Sequence, residues 1–290
     1  MNKLIYSENG NPITISDNAW AFTCKANEYI EVYIKDGKTY KRMPSEYDYV
    51  ENFFLGNIYI IAKNNNIVFP KENNIEDIIV EGNVLYNNTD ILDSMLSLYQ
   101  NMKPGKMDNW AKKIINWCQK YGFPFINNYE DTVSCYKLTG YVGFQLSAFY
   151  HHLQKIYLTI CMHHKLDDSI LISNKDTSSF LQLYSEDDLK KSIADILNFS
   201  ARSQEQIYYF DDYVLKMKIS YNGLIGLAYH QLSMLLLSPD GFSAKHCKCC
   251  QSLFAVSNQN REYCINCSPQ KYYAKQKRLH QKIKKQQKGD

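Results

Sequence analysis

Apolar residues in the first 87 positions come in short runs that are separated by turn-forming residues. Runs such as Tyr29–Ile34 and Ile58–Ala62 end at segments rich in Asn, Asp and Gly, a pattern that is typical of β-strands. Within Ile30–Tyr40, the pair Asp36-Gly37 predicts a hairpin because a tight two-residue turn needs positive φ angles. The pattern therefore predicts a β-rich N-terminal lobe over residues 1–87.

From about residue 89 the spacing of apolar positions changes to that of helices. In Asp90–Met102 and Asp108–Tyr121 apolar residues recur every three or four positions. The further candidate helices are Tyr141–His164, Ser185–Phe199, Gln204–Met217 and Ile219–Leu237. Pro239-Asp240-Gly241 then interrupts the pattern. We therefore expect an all-helical middle domain over residues 88–240, and the α+β class for the chain as a whole.

The composition is that of a globular protein, but the charge is unevenly distributed. Of the 290 residues 45% are apolar and 14% are aromatic, so most of the chain can bury a core. The formal net charge is +3. Residues 271–290 hold eight Lys or Arg and one Asp, which leaves a net charge of −4 on residues 1–270. A basic tail on a mildly acidic body indicates a polyanionic partner for the tail.

No targeting or membrane-spanning segment is recognisable in the sequence. Residues Met1 to Asn11 lack the charged region and apolar stretch of a secretory signal. The longest apolar stretch, Leu224–Leu237, is too short and too polar to span a bilayer. We therefore expect a cytoplasmic protein without a membrane partner, in which clustered cysteines stay reduced and bind a metal ion.

Five of the nine cysteines lie between positions 247 and 267, where two Cys-x-x-Cys pairs are separated by thirteen residues. Each pair directs two thiolates toward one face of a tetrahedral ion, and the second pair closes the site. The predicted ligands of a structural Zn²⁺ are Cys247, Cys250, Cys264 and Cys267. Cys249 lacks this spacing and is left over, and His246 is a weaker substitute ligand. Phe254 is expected to pack under the metal.

The second cysteine pair leads directly into a predicted basic helix, which completes a C-terminal module over residues 241–290. Ser268-Pro269 has the composition of a helix start, and about 20 residues form a rod of ~30 Å, close to one turn of duplex DNA. Basic residues recur along one ridge of this helix. The predicted nucleic-acid-binding residues are Lys271, Lys275, Lys277, Arg278, Lys282 and Lys285. The alternative is a solvated, charged tail without a partner.

The order of cysteine pair, aromatic residue, Tyr263-Cys-x-x-Cys and basic helix in Lys245–Gln286 resembles a treble-clef zinc finger. It is similar to the C-terminal finger of the CGNR family of bacterial proteins, where the finger follows a mostly helical domain. The resemblance implies zinc binding by the four cysteines and a DNA-binding role in a transcription regulator. This chain has Ser268-Pro269-Gln270 where the family has Gly-Asn-Arg, so only the zinc-binding role is carried over residue by residue.

Two other interpretations of the sequence stay open. His152, His163 and Asp168 lie along or just after one predicted helix, and together they would suit an enzyme or toxin that acts on nucleic acid. Histidines in such positions are more often boundary residues of an amphipathic helix. Alternatively, the zinc module recruits a protein partner. No phosphate-binding loop, dinucleotide fingerprint or nucleophile elbow is present. The sequence favours a non-enzymatic regulator that binds DNA in preference to RNA, with a body that senses a ligand or partner.

Overall fold

A computed structural model describes most of the chain. The described ranges are 4–6, 12–14, 19–24, 26, 28–41, 48–63, 67–68, 79–80, 83–87, 91–102, 107–125, 142–167, 182–201, 204–211, 214–237, 243–256 and 261–286. Within these ranges lie seven α-helices and fourteen β-strands, and several of the sheets are antiparallel. The α+β class expected from the sequence is therefore confirmed.

The strands and helices are numbered in chain order. Strands β1 to β7 are Leu4–Tyr6, Pro12–Thr14, Ala19–Cys24, Glu28–Lys35, Lys38–Tyr40, Ile58–Lys63 and Ile67–Val68. Strands β8 to β14 are Ile79–Val80, Asn83–Asn87, Val142–Gln145, Gln204–Asp211, Val214–Asn222, Ser243–His246 and Leu253–Val256. Helices α1 to α7 are Tyr49–Phe54, Ile91–Asn101, Trp110–Tyr121, Leu146–Asp167, Glu186–Ala201, Leu224–Leu237 and Pro269–Gln286. A short 3-10 helix, Met107–Asn109, precedes α3.

The first four-stranded sheet is antiparallel throughout, in the order β10-β6-β4-β5. Its β4–β5 hairpin closes through Asp36 and Gly37, whose φ angles of 51° and 71° confirm the predicted tight turn. Strand β6 is buried on both faces. Ile60 contributes to the main core, whereas Ile61 packs into a small cluster on the opposite face. Successive side chains of a strand point to opposite faces, so this one strand joins two apolar layers.

The second four-stranded sheet joins distant parts of the chain in the order β11-β12-β3-β9. Strand β12 runs parallel to β3, with Ile219 opposite Ala19, while the other neighbouring strands are antiparallel. Strand β10 similarly adds to the first sheet beside β6. Both sheets therefore combine strands from the first 87 residues with strands from the middle of the chain.

These strands correct the expectation that residues 88–240 are all helical. The candidate helix Gln204–Met217 is wrong, because β11 and β12 occupy this range and extend through the start of the candidate Ile219–Leu237. In β12 apolar residues alternate with Lys or Ser from Leu215 to Tyr221, which is the two-residue period of a strand. Strand β10 likewise replaces the first residues of the candidate Tyr141–His164.

The remaining helix predictions are confirmed with small shifts of their ends. Candidates at Asp90–Met102, Asp108–Tyr121 and Ser185–Phe199 correspond to α2, α3 and α5. Helix α2 presents buried residues on nearly every side because it packs against α3, α4, α6 and β14. Among the helices in the described ranges, none combines the length and apolar character needed to cross a bilayer.

The main hydrophobic core is continuous from the first sheet to the C-terminal cysteine region. It contains Tyr29 of β4, Met95 of α2 and Phe149 of α4, and it also includes Leu253 and Ala255 of β14. An aromatic group reinforces it, in which the rings of Trp110 and Tyr150 stack with centroids 4.5 Å apart. The strand that follows the first cysteine pair is thus part of the body's core.

The histidines of α4 do not converge on one site. His152 and His163 are eleven residues apart on a single helix, which corresponds to about 16 Å along its axis. His152 Nδ1 lies 3.1 Å from the hydroxyl of Tyr229, and burial lowers the pKa of His152 to about 4. His163 Nδ1 is buried without a hydrogen bond to a described residue. Asp168 lies outside the described residues, so the structure shows no joint site for these three.

The buried imidazole predicts a pH-dependent stability. The folded-state pKa of His152 is about 4, whereas an unfolded histidine titrates near 6.5. The unfolded state therefore binds more protons between these values, and we expect stability to fall by about 2–3 kcal/mol as pH drops from 6.5 to 4. Urea unfolding across this range should show a smaller loss of stability for His152→Gln than for wild type. Identical pH profiles for the two proteins would contradict the assignment.

Candidate metal centre

The first cysteine pair is held by a β-hairpin. Strands β13 and β14 pair antiparallel, with His246 opposite Leu253. The turn between them closes through two hydrogen bonds, from Gln251 N to Cys247 O (2.9 Å) and from Cys247 N to Ser252 O (2.9 Å). Gln251 adopts a φ of 64°, a conformation that glycine tolerates better. This tight turn directs the side chains at both ends of the first Cys-x-x-Cys pair to one side.

The second cysteine pair forms a similar turn and is tied to the first. Cys267 N donates to Cys264 O over 3.0 Å, which closes the turn around Asn266. Lys248 N donates to Glu262 O over 3.1 Å, and the side chains of Lys248 and Glu262 also form an ion pair. These contacts link the residues within the first turn to those that precede the second.

The two turns bring four sulfur atoms together. The Sγ atoms of Cys247, Cys250, Cys264 and Cys267 all lie within 4.8 Å of one another. The Sγ atoms of Cys250 and Cys264 are 3.7 Å apart. Two sulfurs of a tetrahedral site with metal–sulfur bonds of about 2.3 Å would be about 3.8 Å apart. The four cysteines predicted from their spacing therefore form a cluster that could hold a metal ion.

The thiols of this cluster influence each other's ionisation. Burial raises the pKa of Cys247, but backbone N–H groups of Cys264, Cys250 and Cys249 oppose this effect and bring its pKa down to about 7. Burial raises the pKa of Cys264 to about 11 and also raises that of Cys267, each helped by neighbouring thiols. The environment therefore favours the thiolate at Cys247, whereas at Cys264 and Cys267 a bound cation would offset the cost of ionisation.

The leftover cysteine and the nearby histidine do not belong to the sulfur cluster. Cys249 is half-buried beside it, and its backbone oxygen accepts a hydrogen bond from Lys275 Nζ over 2.6 Å. His246 donates from Nδ1 to the carbonyl of Gln251 over 3.0 Å. The group of potential ligand atoms found in the described residues contains four cysteines and neither of these two residues.

An aromatic ring and an arginine support the cluster from inside the module. Phe254 is fully buried and packs against Cys247 and Cys264, as the sequence predicted. The guanidinium of Arg261 lies 5.5 Å from the centroid of the Phe254 ring, in the range of a cation–π contact. Arg261 Nε also donates to the carbonyl of Tyr263 over 3.0 Å. The residues just before the second turn are therefore fixed by side chains as well as by the backbone.

Three polar residues of helix α2 anchor the module to the body, and we call them the docking strip: Asp93, Ser97 and Gln100. Arg261 Nη2 lies 2.9 Å from Asp93 Oδ2, and Asn266 Nδ2 donates to Ser97 Oγ. The amide of Gln100 makes two bonds to Leu253, accepting from its N–H (2.7 Å) and donating to its C=O (2.8 Å).

Sequence reasoning missed the docking strip, although a signal for it exists. Positions 93, 97 and 100 follow steps of four and three, so these three polar residues share one face of a largely buried helix. Asp93 is only 2% exposed, and a buried carboxylate requires a partner. A polar stripe on a buried helix therefore indicates a packed polar partner, even though the sequence does not identify that partner.

Helix α7 starts directly beside the cluster, and its first lysines contact the cysteine turns. Ser268 Oγ accepts from Lys271 N over 3.3 Å at the helix start. Lys271 Nζ donates to Asn266 O over 2.7 Å, and Lys275 Nζ donates to Cys249 O. Both lysines are exposed but are already engaged with the module.

Further along the same helix, two basic side chains make no such contacts with the described residues. Lys277 and Arg278 are exposed and make no hydrogen bond or ion pair within the described part of the chain. Lys282 and Lys285 lie on α7, but their side chains are outside the described set. The assignment of the six basic residues as nucleic-acid contacts stays a prediction.

Comparison with known proteins gives no assignment for the chain. No family model, curated protein or solved structure matches it. The resemblance of the C-terminal module to the CGNR finger therefore stays a prediction that rests on the residues quoted above.

The sulfur geometry predicts which of two adjacent cysteines is a metal ligand. Cys250 belongs to the four-sulfur cluster and Cys249 does not. We expect Cys249→Ser to bind one equivalent of Co²⁺ with the absorption spectrum of a tetrahedral thiolate site, as in wild type. Cys250→Ser should lose that spectrum or bind far more weakly, because it removes one of four ligands. The reverse result for the two variants would show that Cys249 is the ligand.

Proposed function

We propose that the four sulfurs hold Zn²⁺ and that the chain is a zinc-finger nucleic-acid-binding protein, specifically a DNA-binding regulator. The observation that carries the proposal is the junction between the cysteine cluster and the basic helix. Helix α7 begins two residues after Cys267, and Lys271 and Lys275 bond to carbonyls of the two cysteine turns. A metal that fixes the turns therefore also fixes the orientation of a cationic helix.

Zinc is the metal that best suits the donor set. Four thiolates at nearly tetrahedral separation match structural Zn²⁺ sites, and they leave no open coordination position for a reacting water. Fully ionised, the cluster would carry a charge of about −2 with a divalent ion bound. The ammonium groups of Lys271 and Lys275 lie against the same turns and offset part of that charge. Zinc in this module would support the fold.

The charge and shape of α7 suit a nucleic-acid backbone. Its 18 residues include seven Lys or Arg and no acidic residue, and they form a rod of about 27 Å. Lys277 and Arg278 are exposed and open to a partner. Phosphate contacts by such side chains release counterions and supply most of non-specific affinity. A rod of this width fits the major groove of B-form DNA, whereas the major groove of A-form RNA is too narrow.

The body and the module have separate roles in this proposal. The body, formed by the two sheets and helices α1 to α6, carries a large continuous core and would present the module in a fixed orientation. We propose that it senses a ligand or a protein partner, and that the protein acts in the cytoplasm. Recruitment of a protein through α7, where Tyr273 is 67% exposed, is the second candidate.

A salt series tests the nucleic-acid proposal. With about five phosphate contacts, affinity for a duplex DNA should fall by about 10²–10³ between 50 and 200 mM salt. The double variant Lys277→Ala/Arg278→Ala should bind more weakly and reduce the slope of log affinity against log salt by about two. The measurement is fluorescence anisotropy with labelled DNA. The same salt series with duplex RNA of equal length tests the proposed preference for DNA over RNA.

The matched control is Lys112→Ala/Lys120→Ala, which removes two exposed lysines from α3 and should leave the slope unchanged. Binding that is independent of salt, or an equal effect of both double variants, would place the contacts elsewhere on the surface. Absence of any binding by the zinc-loaded wild type would reject the nucleic-acid proposal and favour a protein partner for α7.

A further inference from the structure

We propose that the docking strip sets the metal affinity of the cysteine module, and that the bound metal in turn stabilises the body. None of the three strip residues is among the four candidate ligands, so the strip would change the metal affinity only by fixing the positions of the two cysteine turns. The inference rests on metal binding by the four cysteines but not on nucleic-acid binding. It follows from the way one face of α2 holds both cysteine turns.

The first turn is held through Gln100. Its side-chain amide pairs with both backbone groups of Leu253, at 2.7 and 2.8 Å, much as a neighbouring strand would. Leu253 begins β14 only three residues after Cys250, and it is also buried in the body's core. Strand β14, which closes the first turn, is therefore held against α2 by two hydrogen bonds and by apolar packing.

The second turn is held through Asp93 and Ser97. Asn266 lies within the turn, between the third and fourth ligands, and donates to Ser97. Arg261 lies three residues before Cys264, where that turn begins, and pairs with Asp93, which is buried. Undocking the module would leave the buried carboxylate of Asp93 without a counter-charge. The ion pair therefore strongly favours the module in its docked position on α2.

Because one rigid helix holds both turns, it fixes the separation between the two cysteine pairs before a metal binds. Pre-organised ligands lose less conformational freedom on binding, and metal affinity rises accordingly. Coupling of this kind is reciprocal. If docking on α2 raises the metal affinity by some factor, then metal binding favours the docked arrangement by the same factor. Helix α2 is itself bonded into the body, since Trp117 Nε1 donates to Ser94 Oγ over 3.0 Å. Tryptophan fluorescence therefore reports on the part of the body around α2, which metal binding is expected to stabilise.

The test is the Zn²⁺ affinity of the full chain, measured by competition with a chromophoric chelator. We expect Gln100→Ala to weaken zinc binding about tenfold, because two hydrogen bonds to Leu253 are lost. Gln100→Glu keeps the acceptor for the Leu253 N–H but places a carboxylate oxygen against the carbonyls of Leu253 and Leu96, so a loss at least as large is expected. The matched control is Gln119→Ala, an exposed glutamine on α3, which should bind zinc as wild type does.

A second readout separates coupling from simple damage to α2. Thermal unfolding is followed by tryptophan fluorescence with zinc and with chelator. The rise in the unfolding midpoint caused by zinc should be smaller in Gln100→Ala than in wild type, in proportion to the lost affinity. Equal zinc affinity and an equal midpoint rise in wild type and both Gln100 variants would overturn the inference, as would a midpoint that zinc does not change in wild type. A wild-type chain that binds no zinc would overturn it together with the metal assignment.

Discussion

Four sulfur atoms within 4.8 Å of one another are the constraint on which the C-terminal module depends. Each thiol that ionises makes the next ionisation harder, and burial adds to this cost for Cys264 and Cys267. A bound cation would lower the free-energy cost of ionising the four thiols, because metal–thiolate attraction would offset the repulsion between the sulfurs. The backbone N–H groups directed at Cys247 and the ammonium groups of Lys271 and Lys275 act in the same direction.

A module of two short strands and two turns buries too little apolar surface to fold by itself. In our proposal a metal bound by the four cysteines supplies part of the missing stability, and packing against the body supplies the rest. Leu253 and Ala255 extend the body's core into the module, and the docking strip fixes its polar edge. The basic helix therefore leaves the protein in a direction that both the cluster and α2 determine, which matters for a surface that would meet an extended polyanion.

The parts that could be predicted from the sequence are those fixed by local chemistry. The cysteine spacing identified the four clustered sulfurs, and Asp36-Gly37 identified the β4–β5 hairpin. The parallel pairing of β12 with β3 could not be predicted, because it joins residues about 200 positions apart and depends on tertiary packing. The partners of Lys271 and Lys275 were missed for a related reason: helical spacing indicates exposure but does not identify the carbonyls they reach.

The most direct test of the account is hydrogen exchange of the full chain with zinc bound and after chelation. If a metal-held cluster organises the module, chelation removes protection from residues 243–256, from residues 261–267 and from the first turns of α7. It also weakens protection in α2, while the first sheet stays protected. Unchanged exchange across residues 243–278 would contradict the claim that a metal-held sulfur cluster organises the cationic helix. Loss of protection confined to the module, with α2 unaffected, would contradict the coupling to the body.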